Sequence, residues 1–267
     1  MSAAAWCLLA FLAVIIPQTS SAKVLFADDF ESSGWTYAKA GWDRYIRFGS
    51  DGSGNVTTTN PFAGTNSFQA DWVANKTIAV WLEKHFSNLI DVYVRFYVFW
   101  SPGYQWTPGR TQGKKVLRTF GEKDIIFKVR GRERSDASHV GNKFRIYSDA
   151  GYAIGHQFNY EENLGLKTNV ESGKWYCIEI HIKKGQGKGI IEWWINDQKK
   201  AEYLNAWTGS KPIKKIRIGG NSSPSKPGRD QTEWYDEVVM SDSRIGCLPD
   251  TPAHTPHTAP TRLRGPK

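Results

Sequence analysis

Short runs in which apolar residues occupy every second position recur through the middle of the chain, and they restrict the fold more than any other feature. The run 91–100 carries them at Val92, Val94, Phe96 and Val98, and the run 175–183 at Ile178, Ile180 and Ile182. A period of two is typical of half-buried β-strands, and no stretch shows a three-turn amphipathic helical pattern. Many strands at short spacing without helices predict an all-β, two-sheet antiparallel jelly-roll sandwich.

Further strands are predicted where the same pattern returns, at 125–131, 143–148, 190–195, 214–220 and 233–241. Glycine, proline, asparagine and serine cluster between these runs, which is typical of turns. Asn196-Asp197 separates the run 190–195 from the segment KKAEYL at 199–204 and predicts a β-hairpin.

The two ends of the chain differ from its middle. Residues 1–22 lack charge and contain the apolar run 6–16, then Pro17 and small residues up to Ala22, as in a secretory signal peptide. The apolar run is shorter than the ~20 residues that span a bilayer, so no membrane anchor is expected. Residues 250–267 are rich in proline and threonine and predict a disordered basic tail. We therefore expect a secreted, extracellular, monomeric domain over 23–249.

Two cysteines, Cys177 and Cys247, remain once the predicted signal peptide is removed. Two cysteines in an exported chain usually pair, so a disulfide is expected. The alternative is a pair of buried free thiols.

Positive charge is concentrated in one part of the chain. Residues 110–145 hold eleven basic and four acidic residues, which gives this segment a net charge of +7, and the whole chain has a formal charge of +9. In two predicted strands the cations share a face: Lys128 with Arg130, and Lys143 with Arg145 and Tyr147. A field of one sign favours an anionic partner, and secretion argues against nucleic acid, so an acidic polysaccharide is expected. An ordinary solvated face is the alternative.

The catalytic motifs that the sequence lacks narrow the chemistry. The Glu-x-Asp-x-x-Glu arrangement of paired carboxylates that jelly-roll glycosidases use is absent, as are Gly-x-Ser-x-Gly and His-Glu-x-x-His. Elimination on a uronate instead needs a cation to neutralise the sugar carboxylate, and groups that move protons. Arginine, histidine and tyrosine serve these roles without a cofactor.

The candidates for this chemistry follow from residue type and strand face. His181 and His156 are candidate bases, each with a surface or structural alternative. The remaining catalytic candidates are Arg95, Tyr97 and Tyr147, and Lys128, Arg130 and Arg145 are expected to bind substrate in one groove with them. The loop after the strand at 91–100 contains Pro and Gly, so its side chains are expected to be exposed and to contact sugar: Tyr104, Gln105 and Trp106.

Several segments together carry a family resemblance: ADDFES near the start, YVRFYVFWSPGYQW, WYCIEIHIKKG, IIEWWIND and the closing WYDEVVMSDSRIGC. They resemble secreted concanavalin A-like jelly-roll proteins related to polysaccharide lyases, with the glucuronan lyases of polysaccharide lyase family 20 and heparin lyase I-like proteins as comparisons. The Arg-x-Glu-x-Arg and Gln-Ile-His strands of alginate lyase family 7 are missing, so the residues of that family are not carried over.

The resemblance implies a two-sheet sandwich with a groove, β-elimination on a uronate polymer and a structural calcium ion. It also implies that the first and last strands lie together, where Asp28 and Asp236 would supply carboxylate ligands, with Asp29, Glu31 and Glu237 nearby. The alternatives are a lectin-like binding module and a glycoside hydrolase, because a fold does not determine a function.

Overall fold

The computed structural model describes residues 23–49, 52–106, 114–122, 124–130, 142–148, 169–221 and 227–249. These residues form β-strands and no helix, as the sequence predicts. The strands are β1 (Val24–Asp28), β2 (Arg44–Phe48), β3 (Ser53–Thr57), β4 (Ser67–Trp72), β5 (Ala79–Leu89), β6 (Asp91–Trp100), β7 (Lys114–Phe120), β8 (Ile125–Arg130), β9 (Asn142–Ser148), β10 (Asn169–Val170), β11 (Trp175–Lys183), β12 (Gly189–Ile195), β13 (Gln198–Ala206), β14 (Ile213–Asn221) and β15 (Gln231–Ser241).

The strands form two antiparallel sheets. Sheet A has the order β13-β12-β11-β6-β15-β4-β3, with β1 also paired to β15, and sheet B has the order β10-β9-β8-β7-β14-β5-β2. Apolar side chains from the facing surfaces of both sheets form one buried cluster, including Phe96 of sheet A and Phe127 of sheet B. The two sheets therefore make a jelly-roll sandwich, and the surface of each sheet turned away from this core is called its outer face below.

Three connections predicted from the sequence are confirmed. Cys177 and Cys247 form a disulfide across 70 residues. Asp28 of β1 pairs with Val238 of β15, so the first and last strands lie side by side. β12 and β13 form the predicted hairpin, and Asn196 and Asp197 at its turn both have positive φ, as a two-residue turn between twisted strands requires.

Residues 1–22 and 250–267 lie outside the described residues, so the signal peptide and the basic tail stay predictions. Among the described residues, no helix is both long enough and apolar enough to cross a membrane.

Candidate functional site

One register row crosses six strands of sheet B and collects charged residues on its outer face. Glu83 of β5 pairs with Arg44 of β2 on one side and with Arg217 of β14 on the other. Arg217 pairs with Arg118 of β7, and the row continues through β8 to Tyr147 of β9. Directly paired residues point to the same side of a sheet. The flanking Leu82 and Ile218 belong to the core, so this row faces outward.

The centre of the row is a buried carboxylate surrounded by cations and one histidine. Glu83 is fully buried, and its Oε2 lies 2.5 Å from Nε of Arg217 and 3.4 Å from Nζ of Lys215. Its Oε1 lies 2.7 Å from Nε2 of His85 and 4.0 Å from a terminal nitrogen of Arg44. We call these five residues the Glu83 cluster.

The electrostatics of the cluster favour an ionised Glu83. Burial raises the pKa of this carboxyl, but hydrogen bonds from His85 and Arg217 and the charges of Arg217 and Lys215 outweigh it and hold the pKa below its usual value. One negative charge thus faces three permanent cations. The surplus positive charge is available to an anionic ligand because the side chain of Arg44 is 59% exposed.

His85 is held at its backbone as well as at its ring. Its backbone N–H donates to Asp43 at 2.7 Å, and Lys84 forms an ion pair with the same carboxylate at 3.3 Å. The side chain of His85 is 47% exposed. When Nε2 donates its proton to Glu83, Nδ1 carries the lone pair, so the ring can act as a base.

An aromatic ring supports the cations beside the cluster. The guanidinium carbons of Arg118 and Arg217 each lie 4.4 Å from the centroid of Phe120, and Nζ of Lys215 lies at 4.6 Å. Arg118 also forms an ion pair with Asp124 at 2.8 Å. Cation–π contacts of this kind hold flexible cationic side chains in place.

The predicted basic strands lie on the same sheet. β8 and β9 pair, with Lys128 opposite Arg145 and Arg130 opposite Lys143. Their neighbours Phe127 and Val129 belong to the core. The register therefore places Tyr147 in the row that contains Glu83, four strands away from it, and places the predicted substrate-binding residues on the neighbouring positions of β8 and β9. Their substrate-binding role stays a prediction.

Arg95 and Tyr97 lie on the other sheet, so the prediction that they share a groove with Lys128, Arg130 and Arg145 is wrong. Both are on β6, and residues 242–248, here called the C-terminal strap, cover them. A terminal nitrogen of Arg95 lies 3.3 Å from Glu237, and the hydroxyl of Tyr97 accepts the backbone N–H of Leu248 at 2.7 Å. The alternation of β6 separates core from outer residues, but it does not say which sheet the strand joins.

His181 also lies on the outer face of sheet A, and both of its ring nitrogens have carboxylate partners. Nδ1 lies 2.7 Å from Glu192, and Nε2 lies 2.8 Å from Asp91. Tyr93 stacks on the ring with a centroid distance of 4.0 Å. Burial lowers the pKa of His181, but these two hydrogen bonds outweigh it and raise the pKa overall. The geometry favours an imidazolium that links two strands and leaves no ring nitrogen for a substrate proton.

The loop aromatics are buried, so the prediction that they are exposed is wrong. Tyr104 is 5% exposed and Trp106 is 9% exposed, and both belong to the core, where they pack around Trp100. The backbone N–H of Gln105 donates to Gln231, and its side chain accepts a hydrogen bond from Gly228. The loop folds inward over the end of the sandwich because this position removes the apolar area of its large rings from water.

The two carboxylates predicted to bind calcium already accept N–H groups. Asp28 accepts hydrogen bonds from the indoles of Trp35 and Trp42 and from the backbone of Phe30. Asp236 accepts three backbone N–H groups, from residues 62, 63 and 237. Among the described residues, no group of three His, Cys, Asp or Glu side chains is arranged to hold a metal. This hydrogen bonding does not fit calcium ligation by these two residues, and the calcium ion stays a prediction.

One predicted base lies outside the described residues, and one histidine was missed. His156 falls in the undescribed range 149–168. His85 was missed because the segment AVWLEKHFSNL does not alternate cleanly, so neither strand nor face was evident. A weak signal was present, since glutamate and histidine two residues apart in a strand share a face.

Fold and site together define a class: a jelly-roll sandwich with a cation-rich outer face. The structure is similar to an endo-β-1,4-glucuronan lyase from Trichoderma reesei (TM-score 0.57, 15% identity, 83% of this chain and 96% of that one). It is also similar to alginate lyase vAL-1 from Chlorella virus (TM-score 0.57, 15% identity, 82% and 99%) and to the cellulose-induced protein Cip1 (TM-score 0.57, 17% identity, 84% and 100%). These likenesses confirm the jelly-roll fold.

No protein-family model matches the sequence, and no curated protein matches it either.

Proposed function

We propose that this protein is a polysaccharide lyase that cleaves a uronate-containing chain by β-elimination on the outer face of sheet B. The observation that carries the proposal is the Glu83 cluster, in which a half-exposed histidine bonded to a buried carboxylate is surrounded by cations. The similarity of the fold to glucuronan and alginate lyases supports the same conclusion.

The chemistry assigns a role to each member of the cluster. Arg44, Arg217 and Lys215 neutralise the sugar carboxylate, which acidifies the adjacent C–H bond. His85 takes that proton at Nδ1, while Glu83 holds Nε2 and stabilises the imidazolium that forms. The electron pair of the C–H bond becomes a carbon–carbon double bond, and the glycosidic C–O bond breaks. Tyr147 lies four strands from Glu83 in the register row, ~19 Å at ~4.8 Å per strand, so it is too distant to protonate the leaving oxygen. The imidazolium of His85 returns its proton to the leaving oxygen, and the step balances within the Glu83 cluster.

The Cys177–Cys247 disulfide supports an oxidising compartment, in agreement with the predicted signal peptide. Together they support a secreted protein that acts on a polysaccharide outside the cell.

The first prediction is that His85→Ala lowers kcat by about 10²–10⁴-fold, the usual contribution of a general base, and that Arg217→Ala lowers kcat/KM. The measurement is the ultraviolet absorbance of the unsaturated product from glucuronan, alginate, heparin and pectin. Arg47→Ala is the charge-matched control, because Arg47 lies on β2 opposite Val80 of the core and outside the cluster. Melting temperatures establish that each variant is folded.

Two results would overturn the lyase proposal. Retention on a polyuronate column with no product from any substrate would favour a binding module. New reducing ends without the unsaturated product would favour a glycoside hydrolase. Wild-type activity in His85→Ala would leave the chemistry in place but remove the Glu83 cluster as its site.

A further inference from the structure

A cavity lies at the open edge of the sandwich, separate from the Glu83 cluster. It has a volume of about 600 Å³ and is lined by the loop 30–37, by Tyr45 of β2, by residues 54–56 of β3 and by Asn66. β2 and β3 are the edge strands of their sheets, so the cavity opens where the two sheets end. We call it the edge pocket.

Aromatic rings form much of its wall. Tyr37 is 38% exposed, and its ring centroid lies 6.4 Å from that of Tyr45. Behind them, Trp35 and Phe30 pack against Phe68 with centroid distances of 5.9 Å. The indole N–H of Trp35 donates to Asp28, which anchors that ring from the core side. The wall is therefore a rigid aromatic surface with one exposed ring at its opening.

The polar side of the pocket combines fixed and unused groups. The carboxylate of Glu31 accepts hydrogen bonds from the side chains of Thr65 and Asn66, at 2.7 Å and 3.0 Å. Asn55 borders the pocket on the edge strand, but it pairs with Gln69, so its side chain points to the outer face of sheet A and away from the inward-facing Val56. Ser32 and Ser33 add exposed hydroxyl groups. The pocket thus offers a fixed carboxylate and hydroxyl groups beside apolar rings.

The charge of the pocket differs from that of the outer face of sheet B. Of the described residues that line it, only Glu31 carries a charge. Burial raises the pKa of Glu31, but its hydrogen bonds with Thr65 and Asn66 outweigh this and hold the pKa below its usual value. Lys39 lies at the border of the pocket, where its Nζ donates to the carbonyl of Gly34 at 3.4 Å. One cation against one carboxylate leaves no surplus of positive charge, so the pocket does not favour an acidic sugar.

We infer that the edge pocket binds a neutral sugar unit, with its apolar face on Tyr37 and its hydroxyls hydrogen-bonded to the hydroxyl groups of Ser32 and Ser33. Pockets lined by aromatic rings and a few directed polar groups are typical ligand sites. Strand β2 links the two sites, because Arg44 faces the Glu83 cluster and Tyr45 lines the edge pocket. The protein therefore recognises neutral and acidic sugars at separate places, and the edge pocket binds the neutral sugar without cleaving it.

The test is calorimetric titration of the full mature chain with cellohexaose, mannohexaose and xylohexaose, and the chain is produced without glycosylation because Asn55-Val56-Thr57 is an Asn-x-Thr sequon beside the pocket. We expect at least one to bind, and we expect Tyr37→Ala and the double variant Ser32→Ala/Ser33→Ala each to weaken that binding about tenfold, equivalent to ~1.4 kcal/mol. Trp207→Ala is the matched control, because Trp207 is also an exposed aromatic residue, 46% exposed, and lies outside the pocket. It should bind as the wild type does.

Cleavage of uronate polymers, measured on the same variants, separates this inference from the proposed function. Tyr37→Ala should keep wild-type activity, whereas His85→Ala should lose activity and keep neutral-sugar binding. The inference is overturned if none of the three oligosaccharides binds, or if Tyr37→Ala and Trp207→Ala bind alike. Neither result would bear on the lyase proposal.

Discussion

A lysine and a glutamate are buried together between the sheets. Nζ of Lys114 lies 3.1 Å from Oε1 of Glu233, both side chains are at most 4% exposed, and the hydroxyl of Tyr104 donates to the other oxygen of Glu233 at 3.3 Å. Burial lowers the pKa of Lys114 to about 7, and it raises the pKa of Glu233. Removing one partner of such a pair leaves the other polar group without compensation.

We therefore predict that Lys114→Met destabilises the domain by about 3–5 kcal/mol at pH 6, where Lys114 is protonated, as when other buried pairs are broken. Lys114→Met with Glu233→Gln should cost less, because no carboxylate is then left unpaired. Urea unfolding measures both, and Lys188→Met, at an exposed turn, is the control. Equal stability of Lys114→Met and the wild type would show that the pair contributes nothing to the fold.

His181 gives a pH dependence with a definite sign. Its pKa is raised in the folded protein, so the folded state binds its proton more tightly than the unfolded state does. The stability that it contributes is full below the unfolded pKa of ~6.5 and is lost as pH rises through the folded value. The two carboxylates that bind His181, Asp91 and Glu192, lie in an electrostatic environment with four further neighbours: Lys183, Lys199, Glu202 and Tyr93.

The prediction is that the difference in unfolding free energy between wild type and His181→Gln is largest near pH 5 and shrinks as pH rises past the folded pKa. Comparing the two proteins cancels the contributions of Lys114 and other groups that titrate in the same range. Denaturant unfolding at several pH values measures this difference. A gap that stays constant or widens with pH would mean that His181 is neutral in the folded protein.

At the scale of elements, the C-terminal strap is held to sheet A by several contacts. Glu179 accepts the backbone N–H groups of Ile245 and Gly246 at 2.7 Å and 3.0 Å. Asp197, at the turn of the β12–β13 hairpin, accepts the N–H of Cys247 at 3.1 Å and forms an ion pair with Arg244. The disulfide adds a covalent link between this strap and Cys177, near the start of β11.

Replacing both cysteines by serine should therefore destabilise the domain by about 4 kcal/mol, the chain-entropy value for a closed loop of this length. Urea unfolding of the double variant and of the reduced wild type should give similar losses. Cleavage activity at the Glu83 cluster should persist in the folded fraction, because the strap covers the other sheet. An unchanged midpoint for the double variant would show that the non-covalent contacts hold the strap alone.

At the scale of the whole molecule, local patterns predicted the strands but not their placement. Alternation in β6 and β8 correctly separated core residues such as Val94 and Phe127 from outer ones. It could not show that these strands belong to different sheets, because strand order depends on pairing between residues far apart in sequence. The polar sides of the two strands looked alike, and only the three-dimensional order separates Arg95 from Arg130.

Only part of the candidate site could be predicted from the sequence, because its centre also depends on pairing between distant segments. The basic run 110–145 pointed to sheet B through Lys128 and Arg145, which lie on it. The centre of the site depends on Glu83 and Arg217, which are 134 residues apart. Each is an ordinary charged residue in the sequence, and only the pairing of β5 with β14 brings them together.

The position of the last two strands has a consequence for when the domain can form. β14 lies between β7 and β5, and β15 lies between β6 and β4, so each sheet is divided until its late strand arrives. A ribosome must pass residue 221 before the row through Glu83 is continuous, and residue 241 before sheet A is continuous. Pairing between such distant segments is also slow compared with local contacts. Both sheets of the nascent chain therefore stay incomplete through most of its synthesis, and they become continuous only when β14 and β15 have been made.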